Sequence, residues 1–192
     1  MSDKDLHIED LDELLKSKKK KINSGRKGKA AERDIVHIFN KKFVQLLSDN
    51  PKWGAFSRAI GSGAFNKRGS LLPQHAKDTF TGDITAPVNF RFVLESKCGY
   101  NDADIFNCWF GKCRELDEFL EQVSKDSEYS GKKPMLLWKK DRKGRVVFLK
   151  RKDFEELSKV ALPPIHFNYG DWVGIDFEFV LTLEDNFFFI GN

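Results

Sequence analysis

Apolar residues recur along this chain at two periods, and the alternation between them lays out the elements. Over residues 29 to 48, Ala31, Ile35, Ile38, Phe39, Phe43, Leu46 and Leu47 form one stripe at helical spacing, which predicts an amphipathic helix. The stretch before it, 23 to 29, is rich in Gly and base and reads as a loop. A second stripe, Ile105, Cys108, Trp109, Leu116, Phe119, Leu120 and Val123, predicts a helix from about 103 to 123. Residues 152 to 160 suit a short helix, closed by Pro163 and Pro164. Between these, β-branched and aromatic runs without Gly or Pro predict strands at 55–60, 83–86, 90–97, 135–139 and 145–149. The tail carries Trp172-Val173-Gly174, an alternating run from Ile175 to Leu183 that predicts one or two more strands, and the apolar Phe187 to Ile190. At the other end, Leu6, Leu11, Leu14, Leu15 and Ile22 predict an amphipathic helix over 4 to 22. Acids at its start and lysines at its end complement the helix macrodipole. The chain therefore divides into an arm, 1–24, and a domain, 25–192, with the order helix, strand, strand, strand, helix, strand at its centre.

Composition narrows the class. With 192 residues, 40% of them hydrophobic, the chain can bury a core as a mixed α/β protein. No apolar run approaches the roughly 20 residues of a membrane helix, and the charged N-terminus is unlike a signal peptide. Cys98, Cys108 and Cys113 are an odd count without CxxC spacing, which favours reduced thiols and a cytoplasmic setting over disulfides or zinc. Charge is unevenly spread: net −5 over residues 1–15, +12 over 16–72 and −3 over the remainder. A basic block of that kind suits a phosphate backbone, although such blocks are also often plain solvated surface.

The chemistry concentrates between Gly82 and Lys97. Alternation along 90–97 sends Arg91, Val93, Glu95 and Lys97 to one face and Phe90, Phe92, Leu94 and Ser96 to the other, so Glu95 and Lys97 point the same way. If the short run from Asp83 pairs with this strand across the turn Ala86–Asn89, Asp83 and Glu95 meet at one end of a hairpin. Two carboxylates and an amine there would suit a hard divalent cation such as Mg²⁺, with the lysine orienting a water. A hairpin with Glu and Lys on its solvated face is the plainer alternative. Glu32 sits at the edge of the first helical stripe, above Phe39 and Phe43, where a carboxylate needs a partner: a neighbouring base such as Lys29 or Arg33, or a metal.

An acid, a spacer and Glu-x-Lys resembles the signature of the PD-(D/E)xK nuclease superfamily, with Asp83, Glu95 and Lys97 in the three motif positions and Gly82 in place of the leading Pro. Lys27-Gly28 followed by Ala31-Glu32-Arg33, and then Arg58 ahead of Ser62-Gly63, is similar to the opening motifs of archaeal and phage Holliday junction resolvases in that superfamily. The resemblance implies a restriction-endonuclease-like αβββαβ core, a mixed central sheet flanked by helices, here with an added N-terminal helix and C-terminal strands. It implies a metal site of Asp83, Glu95 and Glu32, catalytic roles for these with Lys97 and Ser62, and Mg²⁺ as the ion, with Mn²⁺ able to substitute. Arg58 and Ser62 would then hold the scissile phosphodiester, and Arg26, Lys27, Lys29, Arg33, Lys67 and Arg68 the DNA backbone. The activity expected is an endonuclease of DNA recombination and repair acting on four-way junctions as a homodimer. A repair or restriction endonuclease on ordinary duplex and an inactive DNA-binding module are the alternatives.

Overall fold

The structure, a computed structural model, describes residues 24–59, 81–100, 108, 110 and 113–191. The expected helix over 4–22, the stretch holding Ser62, Lys67 and Arg68, and residues 103–107, 109, 111 and 112 of the helix expected over 103–123 lie outside these. The chain opens on helix α1 (Ser24–Lys42), a short helix α2 (Val44–Asp49) and a 3₁₀ turn (Pro51–Trp53), then strands β1 (Ser57–Arg58), β2 (Ile84–Thr85) and β3 (Phe92–Cys98). Helix α3 (Arg114–Ser130) leads into β4 (Lys133–Lys139), β5 (Arg145–Lys150), α4 (Arg151–Ser158), β6 (His166–Tyr169) and β7 (Trp172–Asp176). Two short helices, α5 (Phe177–Leu181) and α6 (Asp185–Phe188), finish the fold. The seven strands form one mixed sheet in the order β1-β2-β3-β4-β5-β7-β6. Only β3 and β4 run parallel, because α3 carries the chain back between them. The αβββαβ order expected from the sequence is present.

Period-two alternation sorts the sheet's side chains into two cores. On one face Phe90, Phe92, Leu94, Met135, Leu137, Val147 and Ile175 pack with Ile35 and Phe39 of α1 and with Phe43 just past its end. On the other, Val93, Leu136, Trp138 and Phe148 pack with Leu116, Phe119, Leu120 and Val123 of α3. The first is crowded with phenylalanine. Phe39, Phe43, Phe56, Phe90 and Phe188 stand at ring-centroid distances between 4.9 and 6.4 Å, the range in which tilted and edge-on rings attract.

Several boundaries differ from the sequence reading, each for a local reason. The segment 23–29 reads as a loop in the sequence, yet α1 begins at Ser24 and runs through Gly25 and Gly28. An ion pair from Lys27 to Asp141 of the β4–β5 turn holds this weakly helical start in place. The helix expected to continue to residue 48 bends at Phe43, which turns its ring into the core at φ −100°, ψ 18°. The strand at 55–60 contracts to Ser57–Arg58. The second helix, expected without a break from about 103, is interrupted at Cys113, which is extended at φ −109°, ψ 94°; α3 starts at Arg114, continues past Val123 to Ser130 and stops at Gly131, whose φ of 72° is the left-handed cap that glycine favours. Finally, the alternating run Ile175–Leu183 is a strand only to Asp176. The Asp176 carboxylate there accepts a hydrogen bond from Phe179 N at 3.3 Å and starts α5 instead.

Candidate active site

The ladder between β2 and β3 fixes the geometry. Ile84 stands opposite Leu94 in antiparallel register, so Asp83 falls opposite Glu95 at the point where the pairing ends. Asp83 N donates to Leu94 O at 2.9 Å, and the Asp83 side chain takes the next place in the ladder, its Oδ2 accepting from Ser96 N at 3.1 Å. Gly82 makes that ending possible. Its φ is 81°, and a Cβ at this position would lie 2.6 Å from Leu94 O, so only glycine turns the chain away so close to β3.

Glu95 and Lys97 share the α3 face of the sheet, as the alternation predicts. Glu95 is fully buried. Its Oε1 lies 2.6 Å from Lys97 Nζ, a close charge contact poorly aligned as a hydrogen bond, and its Oε2 has no partner among the described residues. Burial drives the Glu95 pKa well above the ordinary carboxyl range. The nearby charges of Asp83 and Asp126 push it the same way, and Lys97 only partly offsets them. For Lys97, burial alone would favour loss of the proton, but Glu95 and then Asp83 outweigh it and the amine holds its proton above the usual lysine range. Gln122 of α3 completes its surroundings: Lys97 Nζ donates to Gln122 Oε1 at 2.9 Å and lies 5.5 Å from the Phe119 ring. Lys97 is therefore a positioned cation.

A buried, half-satisfied carboxylate whose ionised form is opposed by a second carboxylate is a costly arrangement that a bound cation would relieve. Asp83 and Glu95 would suit a hard divalent cation as a pair of oxygen donors. Among the described residues no cluster of three or more His, Cys, Asp or Glu groups stands close enough to hold a metal.

Glu32 is placed differently. It accepts from Arg58 Nε at 2.6 Å, so its partner is neither adjacent base but the arginine of β1. Arg58 lies opposite Ile84, on the α1 face, and the next residue, Ala59, donates through its N–H to Asp83 O at 3.0 Å. The Glu32–Arg58 pair thus stands on the α1 face, opposite the α3 face that carries Glu95, and is linked to Asp83 through the neighbouring backbone bond of Ala59. Of the expected backbone-binding residues, Lys29 and Arg33 are exposed on α1, Arg26 is exposed near its start and Lys27 is tied to Asp141, while Ser62, Lys67 and Arg68 lie outside the described residues.

Two residues near the carboxylates escaped the sequence reading. Gln122 and Asp126 are four apart on α3, facing β3, and Asp126 is buried. An acid in register with Phe119 and Val123 of the apolar stripe was the available signal, but it required knowing that the helix extends to Ser130.

Comparison with known proteins adds one match. A family model described as "Phage putative PDDEXK endonuclease" matches residues 23–184. No curated protein and no solved structure matches the chain.

Proposed function

The chain belongs to this phage PDDEXK endonuclease family, and from that premise we propose a divalent-metal-dependent endonuclease that hydrolyses phosphodiester bonds in DNA, with four-way junctions as its preferred substrate. The observation that carries the reading is the Glu95 carboxylate, buried, without a partner at Oε2 among the described residues, facing Asp83 and contacted by a protonated Lys97.

Asp83 and Glu95 would hold the cation. Two hard carboxylates favour Mg²⁺, with Mn²⁺ able to substitute. Such an ion, when bound, polarises a phosphoryl oxygen and lowers the pKa of water. The chain's own groups do the rest. Lys97, fixed between Glu95 and Gln122, orients the attacking water and faces the charge that develops on the phosphate. Arg58 and Ser62 hold the scissile phosphodiester. A phosphate that draws Arg58 toward itself releases Glu32 to complete the donor set. Arg26, Lys27, Lys29, Arg33, Lys67 and Arg68 take the backbone on either side. Nicking two strands of a junction symmetrically needs two such sites, hence a homodimer.

The test is a cleavage assay with Mg²⁺ on a four-way junction and on linear duplex of the same sequence. Cleavage that prefers the junction, lost in Asp83→Ala and Glu95→Ala while DNA binding persists, supports the reading. Preference for linear duplex would assign a repair or restriction endonuclease instead. Undiminished cleavage by both variants would remove the assigned site, and DNA binding without cleavage in any divalent metal would leave a binding module.

A further inference from the structure

Among the described residues, a strong charge feature outside the carboxylate site is the turn joining β4 to β5. Lys139-Lys140-Asp141-Arg142-Lys143-Gly144-Arg145 carries five bases and one acid. Its root is firmly held. Buried Arg145 donates to Asp34 Oδ2 of α1 at 2.8 Å and lies 4.7 Å from the Phe177 ring, and Lys139 approaches the same Asp34 oxygen at 3.6 Å. Asp141, the one acid, is engaged by Lys27. Asp34 is thus met by the bases at the root of the turn, and Asp141 by Lys27 of α1. Arg142 and Lys143, at its tip, are exposed and have no side-chain partner among the described residues.

The position of this tip matters as much as its charge. In the parallel register between β3 and β4, Lys97 stands opposite Trp138 and Cys98 opposite Lys139. Gly99 N donates to Lys139 O at 2.9 Å, so the two strands stay joined to the very edge of the sheet. The turn leaves the sheet one strand over from Lys97 and at the same end. Within the turn Arg142 adopts φ 58°, a region where side chains other than Gly, Asn and Asp are uncommon.

Resting on the nuclease reading, we propose that the β4–β5 turn is a grip for the phosphate backbone of duplex DNA, with Arg142 and Lys143 making the contacts beside the cleavage site. The contacts are with phosphate, independent of sequence, and place the duplex flank along the sheet edge while the carboxylates act on the next strand.

Salt dependence of binding separates this from a solvated turn. A labelled duplex is titrated with the full chain in EDTA, so that binding is read without cleavage, across a series of KCl concentrations. The double variant Arg142→Gly, Lys143→Gln should bind every duplex sequence more weakly, with the slope of log K against log salt reduced by about 2, near one for each phosphate left unneutralised. Its melting temperature should not fall, because glycine adopts the left-handed conformation at 142 without clash. A control of equal charge change outside the turn, Lys52→Gln with Lys159→Gln, should leave the slope unchanged. An unaltered slope in the turn variant, or an equal drop in the control, overturns the grip while leaving the nuclease reading intact. Failure of the wild-type chain to bind or cleave any DNA overturns both.

Discussion

A carboxylate without solvent contact is stable only where something replaces its lost hydration, and at Glu95 the replacement is incomplete. One amine sits 2.6 Å away while the charge of Asp83 opposes ionisation. The consequence is a pH dependence with a defined sign. Because the folded-state pKa is raised above the unfolded value, Glu95 supports the fold most fully below the ordinary carboxyl pKa, and that support is lost as pH rises through the elevated folded value. Glu95→Gln removes the titration. In EDTA the variant should therefore gain stability relative to wild type as pH is raised from about 4 toward neutrality, read by urea unfolding at several pH values. A constant difference across that range would show that Glu95 is ordinarily hydrated. Mg²⁺ should raise the melting temperature of wild type and not of Glu95→Gln, since only a site that binds in the folded state shifts unfolding. Gln122 makes a separate case. Gln122→Ala frees Lys97 Nζ from one of its two polar contacts, so cleavage should slow on the order of ten- to a hundredfold while the Mg²⁺-induced shift persists. Loss of that shift would place Gln122 in the metal site itself.

At the scale of elements, the site depends on how one short strand ends. The Glu95 and Lys97 faces were legible because alternation in a strand needs no tertiary knowledge, and β3 obeys it. The role of Gly82 was not, since a glycine in a PD-like motif says nothing of a Cβ that would meet Leu94 O at 2.6 Å. Gly82→Ala should cost about 1–3 kcal/mol, from positive φ and overpacking together, and should depress cleavage by displacing Asp83 from Ser96 N. Chemical denaturation of this variant beside wild type checks the first part; a Gly82→Ala variant as stable and active as wild type would show that the β2–β3 junction yields freely. Helices were less legible than strands. The last two turns of α3, which bring Asp126 to the sheet, lie beyond the apolar stripe that ends at Val123, and their length depends on the C-cap at Gly131. Likewise Phe177, Phe179 and Leu181 alternate like a strand, and only the cap at Asp176 makes Phe177 and Val180 the buried pair of a helix.

For the molecule as a whole, the order of elements was readable because each carries its own period, whereas the closure of the core was not, because it joins the two ends of the described chain. The family match stops at residue 184, yet the phenylalanine-rich core continues beyond it through Phe188 and Phe189. Arg91 N donates to Phe188 O at 2.8 Å and Ile190 N to Asn89 O at 2.9 Å, while Phe90 and Phe189 pair across an isolated bridge, so the tail lies antiparallel along the approach to β3. The Phe188 ring is fully buried, 6.4 Å from Phe39 of α1, 5.0 Å from Phe43 just past its end and 6.1 Å from Phe90, and it fastens the first helix to the approach to the strand that carries Glu95. Phe187, half-buried, meets Phe92 at 5.4 Å on the margin of the same core. Phe188→Ala should therefore cost about 3–5 kcal/mol and Phe187→Ala distinctly less, measured by urea unfolding of the full chain. Because α1 and β3 are joined through this ring, the larger loss should also weaken the Mg²⁺-induced rise in melting temperature, although Phe188 touches none of the carboxylates. Equal and small losses at the two positions would mean that the tail merely lies on a domain already complete at residue 184.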